Sequence, residues 1–114
     1  MASQPHLAND SLSAIAAVIS SDSLITDARD CALYAQDVFT KGPAPLAVFR
    51  PGSIDEMSAG VRAATEAGIA IIPRGGGMSY TSGYVAPDAG ALIVDTGRMQ
   101  RIIEINETDM TVSV

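Results

Sequence analysis

Between Arg74 and Gly83 the sequence reads RGGGMSYTSG, which brings a cation, three consecutive glycines and the hydroxyls of Ser79, Thr81 and Ser82 into one short stretch. Glycine has no Cβ, so its backbone can approach a ligand closely, and successive N–H groups can converge on an anion. The chemistry on offer is phosphate or pyrophosphate binding, with Arg74 adding one positive charge. The competing reading is a glycine-rich turn that serves chain geometry alone. Two familiar phosphate motifs do not fit. A G-x-G-x-x-G fingerprint starting at Gly75 would need glycine at Tyr80, and no Gly-Lys-Ser/Thr sequence occurs anywhere in the chain. No helical pattern follows the loop, so a helix dipole is not the expected anchor.

The elements that would position this loop are legible upstream of it. Leu46–Phe49 is a compact apolar strand candidate closed by Arg50-Pro51-Gly52, because proline cannot continue a central ladder. Ser53 with Glu56 three residues on forms a capping-box pattern, Ile54, Met57, Val61 and Ala64 mark one apolar face, and Gly68 supplies a stop. This pattern predicts a helix from Ile54 to Ala67. Ile69–Ile72 is a second buried strand, so the unit is strand, helix, strand, with a crossover that favours parallel strands. The loop then lies at a strand's carboxyl end, where α/β sheets bind ligands.

The remaining segments are weaker. Leu12, Ile15, Ala16 and Ile19 recur at helical spacing after Asp10 or Ser11 and predict a short helix over Ser11–Ser20. Ser21–Pro45 shows no sustained period and is expected to be irregular. Gly90–Asp95, Ile102–Ile105 and Thr111–Val114 read as three further strands whose short joins suggest an antiparallel return. Thr111–Val114 stops with neither a turn residue nor a polar tail, so a truncated chain is expected. The fold class is α+β, with helices flanking a mixed sheet. Residues 1–45 form a lead-in, and 46–114 the ligand-binding unit.

Composition bounds the function. At 114 residues, 47% hydrophobic and 18% charged, the chain suits one modest globular core. A net charge of −6 opposes broad attraction to nucleic acid or anionic lipid, so any bound anion must be held by local groups against the overall field. Cys31 is the only cysteine, which rules out an intrachain disulfide and favours a buried thiol in a reducing compartment. No basic region precedes an apolar run at the amino terminus, and no apolar stretch approaches a membrane span, so a cytoplasmic location is expected.

Other residues that could do chemistry carry weaker signals. His6 is the only histidine and lies far from the loop, so it is not expected to be catalytic. Asp27, Asp30 and Asp37 lack the compact pattern or histidine partners of a metal site and read as caps or solvated surface. Tyr80 and Tyr84 are open to contact with a ligand or to packing beneath the loop. Met99, Ile102, Ile103 and Ile105 read as core around a turn into a strand, and Asp95 and Arg98 as either a pair or partners of nearby backbone.

Taken in order, the strand ending RP at Arg50-Pro51, the helix start SIDEM, then PRGGGMS, ALIVD and GRMQRIIEI resemble the first part of the FAD-binding domain of the vanillyl-alcohol oxidase and p-cresol methylhydroxylase (PCMH-type) flavoproteins. The resemblance covers about Leu46 to Val114. It implies an FAD-linked oxidoreductase acting on a small-molecule substrate such as a hydroxy acid or alcohol, with its catalytic residues later than 114. It also implies that Arg74, Gly75, Gly76, Gly77, Met78 and Ser79 line the FAD pyrophosphate, that Gly83 closes the loop, and that Pro51 lies towards the adenosine. Many members of the family have Thr where Met78 stands, and some have a His that attaches the flavin. Met78 cannot form that bond, so FAD is expected to be non-covalent at this position. The family often has paired glycines late in the loop, whereas here Ser82 precedes Gly83. Alternatives are a non-catalytic phosphate-ligand-binding or folding module, or a flavin reductase of peptidoglycan precursor synthesis. Substrate, electron acceptor and oligomeric state are left open.

Overall fold

The structure is a computed structural model that describes residues 5–114, with side chains from residue 9 onward. The side chain of His6 thus lies outside the described residues. In chain order the elements are α1 (Pro5–Ala16), a 3-10 turn (Ser21–Ser23), β1 (Leu24–Ile25), α2 (Ala28–Leu33), β2 (Ala47–Phe49), α3 (Ile54–Glu66), β3 (Ile71–Arg74), β4 (Leu92–Asp95), β5 (Glu104–Asn106) and β6 (Thr111–Ser113).

A four-stranded sheet runs in the order β1-β2-β4-β3, with β1 antiparallel at one edge and the other three strands parallel. It is the expected mixed sheet with flanking helices. The strand–helix–strand unit is parallel as well, but β2 and β3 are not neighbours, because β4 inserts between them. The antiparallel return expected at Gly90–Asp95 is therefore corrected. All of Leu92–Asp95 is buried, and its apolar residues face cores on both sides, which is the signature of a central parallel strand. Ala47, Phe49, Leu92 and Val94 join Ile15 of α1 and Ala64 of α3 on one face, while Val48 and Ile93 meet Cys31 of α2 on the other.

Helix α3 is built as its sequence signals. The Ser53 side chain accepts from the Glu56 amide at 3.2 Å, the helix ends at Glu66, and Gly68 turns left-handed with φ of 71°. Gly60 brings α3 onto the sheet, since a Cβ there would stand 2.4 Å from the fully buried Phe49 ring. The reciprocal half of the capping box is redirected. Glu56 accepts from the Gly52 amide at 2.8 Å, the Ser20 amide at 3.0 Å and the Ser23 hydroxyl at 2.9 Å, tying the lead-in to the helix start. These amides, that of Gly52 foremost, hold the Glu56 carboxyl below its ordinary range despite partial burial, helped by the Ser23 hydroxyl and the Arg98 charge.

Four expectations shift. Helix α1 covers Pro5–Ala16 rather than Ser11–Ser20, and Pro5 is compatible with a first helical turn, where its missing N–H is no loss. Ser21–Pro45 is not irregular throughout. It contains β1 and α2, elements too short to show a period, and Asp27 caps α2 by accepting from the amides of Arg29 and Asp30. Strand β3 runs two residues later than Ile69–Ile72 and includes Arg74. The β5–β6 hairpin forms a separate two-stranded sheet, on which Ile105 and Val112 are exposed, as are the preceding Ile102 and Ile103. The reading of these isoleucines as core is corrected, because the hairpin has no packed layer over it among the described residues.

Two outcomes follow from this packing. Gly60→Val should lower stability by ~1–3 kcal/mol through overpacking against Phe49, measured by thermal unfolding. For Glu56, whose carboxyl is lowered in the folded state, the stabilising contribution is complete above its ordinary value of 4.5 and is lost as pH falls through the lower folded value. The stability gap between the wild type and Glu56→Gln should therefore be present at pH 7 and shrink progressively below about pH 4.5, as read from urea unfolding across pH.

Candidate functional site

Because β2, β4 and β3 are parallel, their carboxyl ends share one edge of the sheet. Pro51 follows β2, Thr96 follows β4 and Gly75 follows β3. The expected ligand-binding residues therefore come to the same edge, with β4 between Pro51 and the glycine loop. Pro51 is fully buried, and Met78 is two-thirds exposed at 67%. Thr96 fastens the start of the loop to the sheet, its amide donating to the Arg74 carbonyl at 3.0 Å.

The three glycines are not equivalent. Gly77 has φ of 74°, and a Cβ there would lie 2.8 Å from an Arg74 guanidinium nitrogen, so the chain's own geometry requires it. Gly75 and Gly76 are exposed, neither has a left-handed φ, and a Cβ added to either would meet nothing within 4 Å. Neither crowding nor backbone conformation accounts for the missing side chains. Among the described residues, no hydrogen bond uses the amides of Gly75, Gly76, Gly77 or Met78. Bare backbone and unspent donors side by side offer an open cradle of amides, a donor set that fits a pyrophosphate.

Arg74 does not project freely into the cradle. Its guanidinium carbon lies 4.8 Å from the Tyr34 ring centre and 4.6 Å from that of Tyr84, both within cation–π range. One of its nitrogens, Nη1, is buried without a hydrogen-bond partner. The rings on either side thus take the place of some of its lost hydration. Tyr84 is buried and its hydroxyl donates to the Gly77 carbonyl, whereas Tyr80 is exposed. Of the two tyrosines, Tyr84 is the packing residue beneath the loop.

Tyr34 is fixed in turn by donating to Asp95 Oδ2 at 3.1 Å. Burial, then this bond and the Asp95 charge, push its phenol above the ordinary range. Asp95 pairs with Arg50, Nε to Oδ2 at 3.3 Å, and of the two expectations for Asp95 and Arg98 the backbone bonds are the ones formed. Asp95 accepts from the Gly97 amide at 2.8 Å, and Arg98 donates to the Arg50 carbonyl and the Ser23 hydroxyl, each at 3.0 Å. Cys31 is buried, and burial followed by the nearby Asp27 and Asp30 charges raises its thiol, so it is packing material and not a nucleophile.

Sequence reasoning assigned no role to Tyr34 and read Asp37 as a cap or solvated surface rather than a metal ligand. Among the described residues no group of three or more His, Cys, Asp or Glu is placed to hold a metal. Asp37 accepts instead from the Phe39 amide at 2.7 Å, the Thr40 amide at 2.6 Å and, across the fold, the Ser82 amide at 2.8 Å. Burial opposes its charge, but these amides outweigh that and hold the carboxyl below its ordinary range. An aspartate two residues before an exposed turn was the available signal for the local bonds. Nothing local announced the bond to Ser82.

Comparison with known proteins agrees with this geometry. A family model described as FAD binding domain matches residues 45–114. The chain is 34% identical over 92 residues to D-2-hydroxyglutarate dehydrogenase of Xanthomonas citri pv. viticola, covering 80% of this chain and 19% of that protein. It is 34% identical over 70 residues to glycolate oxidase subunit GlcD of Bacillus subtilis, covering 61% of this chain and 15% of that protein. The chain thus spans a fifth or less of the length of these relatives. Its fold matches that of p-cresol methylhydroxylase with a TM-score of 0.76 at 20% identity, over 90% of this chain and 21% of that one.

The contrast among the glycines gives a direct check on stability. Gly75→Ala and Gly76→Ala should each change unfolding free energy by less than ~0.5 kcal/mol, as for surface sites. Gly77→Ala should cost ~1–2 kcal/mol from the left-handed backbone alone, with displacement of Arg74 in addition.

Proposed function

This chain belongs to the FAD binding domain family, and from that premise we propose that its loop from Arg74 to Gly83 holds the pyrophosphate of FAD. The observation that carries the reading is the unexplained bareness of Gly75 and Gly76, beside amides that no acceptor of the described chain uses. In this assignment the amides of Gly75, Gly76, Gly77, Met78 and Ser79 face the phosphate oxygens. Gly83 closes the loop, and Pro51 lies towards the adenosine at the end of β2, across β4 from the loop. Arg74 contributes positive charge from beneath while it shapes the loop. Such an arrangement suits an acidic chain, because short-range donors act where the long-range field is unfavourable.

FAD, when bound, supplies a hydride acceptor, and the protein's part is to bind and orient it. We assign the whole protein to FAD-linked oxidation of a small hydroxy acid. The similarity to D-2-hydroxyglutarate dehydrogenase and to the glycolate oxidase subunit supports that substrate class. At position 78 the contact with FAD is assigned as non-covalent, since the exposed Met78 thioether cannot form the bond that a histidine makes there. Among the described residues no helix is long and apolar enough to cross a membrane. A cytoplasmic setting belongs to the same proposal and is supported by the lone, buried cysteine.

The test is an amide-resolved titration of the chain with FAD, ADP and riboflavin. FAD and ADP should shift the resonances of Gly75 to Ser79, and riboflavin, which lacks the pyrophosphate, should not. Gly76→Val should abolish the response to FAD and ADP with an unchanged melting temperature, because the added side chain has room in the fold but fills the cradle. Loop resonances that ignore FAD, or a valine variant that responds as the wild type does, would refute the assignment.

A further inference from the structure

We propose that Tyr34 and Asp37, which precede the family-matched segment, are positioning residues of the glycine loop and hold its two halves in the shape that receives the ligand. The proposal rests on the reading that this loop binds the FAD pyrophosphate. Neither residue needs to touch the cofactor to do this.

The late half of the loop has a conformational problem. Ser82 sits at φ of 60°, in the left-handed region where a Cβ is disfavoured and where glycine is the usual occupant. Something must hold a serine there. Its amide donates to Asp37 Oδ2 at 2.8 Å, and the Val38 amide donates to the Ser79 carbonyl at 3.3 Å. The lead-in thus grips the loop on both sides of Tyr80-Thr81. Asp37 is itself anchored, because its other oxygen, Oδ1, accepts from Phe39 and Thr40.

The early half is held through a relay. Asp95 receives the Tyr34 hydroxyl, the Tyr34 ring meets the Arg74 guanidinium, Arg74 meets the Tyr84 ring, and Tyr84 donates to the Gly77 carbonyl. Removing the Tyr34 ring leaves the guanidinium, one of whose nitrogens is already buried without a partner, with one aromatic ring instead of two. Gly77 lies against that same guanidinium, so loosening Arg74 frees the backbone that carries the glycine amides. Preorganisation of this kind strengthens binding by lowering the ordering cost of the loop.

Asp37→Asn separates the local role from the loop role. Asparagine can keep one oxygen towards Phe39 and Thr40, which presents its NH2 to the Ser82 amide and breaks that tie. The ligand-free NMR order parameters of the Gly75–Gly83 amides should fall from a rigid ~0.85 to below ~0.6 in Asp37→Asn, and FAD should bind about tenfold more weakly. Adding Ser82→Gly should restore most of both, because glycine adopts the left-handed conformation unaided. Tyr34→Leu should lower the order parameter at Gly77, and Tyr34→Phe, which keeps the ring, should do so less.

If Ser82→Gly gives no recovery, Asp37 serves only its own turn and its part of the proposal falls. An unchanged Gly77 order parameter in Tyr34→Leu overturns the part assigned to Tyr34. A wild-type chain that ignores FAD refutes the cofactor reading, while the ligand-free order parameters still decide the positioning roles.

Discussion

Leu92, Ile93 and Val94 must leave water on both faces of the sheet at once, and that requirement organises the rest of the molecule. A strand buried on both faces needs a hydrogen-bonded neighbour on each side and a covering layer above and below. Strands β2 and β3 supply the neighbours; α1 with α3, and α2, supply the layers. The crossover through α3 brings β3 parallel to β2, the long segment 75–91 returns the chain to start β4 in the same direction, and the three carboxyl ends emerge together. The site exists because those ends coincide. Pro51, Thr96 and Gly75 are separated in sequence but lie on one edge as a consequence of how an apolar strand was buried.

On that edge the fold divides its positive charge in two ways. Arg50 neutralises Asp95 and Arg74 is taken up between aromatic rings, so neither guanidinium is left as a mobile, fully hydrated charge. At Gly75 and Gly76 what faces solvent is backbone. N–H dipoles cost little to desolvate compared with a full charge, and they act only at short range. In a chain of net charge −6, that is a coherent way to bind an anion selectively without gathering anions in general.

Sequence made visible those features that local chemistry determines. The α3 start is carried by Ser53 and Glu56 within one turn, the α3 stop by Gly68, and the loop by its glycines, and all appear where the patterns place them. Features set by distant partners were hidden. The run ALIVD gave no indication of which strands would flank it, and short joins were a poor guide, because its own two-sided hydrophobicity was the better one. Ile102 and Ile105 look like core in any window, yet exposure depends on whether a layer exists to cover them. Glu56 was legible as a capping residue, but its grip on Ser20 and Ser23 depends on how the lead-in returns to the sheet. Asp37 is the sharpest case, since its local bonds follow from residues 37 to 40 and its bond to Ser82 follows only from the finished fold.

Ser82 shows how such long-range bonds change what a sequence motif means. A glycine pair late in a phosphate loop would meet the left-handed requirement locally, with added freedom in the unfolded chain as the cost. Here a serine at the same conformation carries an intrinsic penalty of ~1–2 kcal/mol, and the conformation persists only because surrounding contacts determine it. The amide bond to the Asp37 carboxylate is a charge-assisted contact and so is strong enough to offset much of that penalty. The departure from a glycine pair is therefore no mark of a degraded loop. The requirement has been moved from the loop's own residues to a segment that precedes the family match, and the loop's shape has become conditional on the lead-in being folded against it.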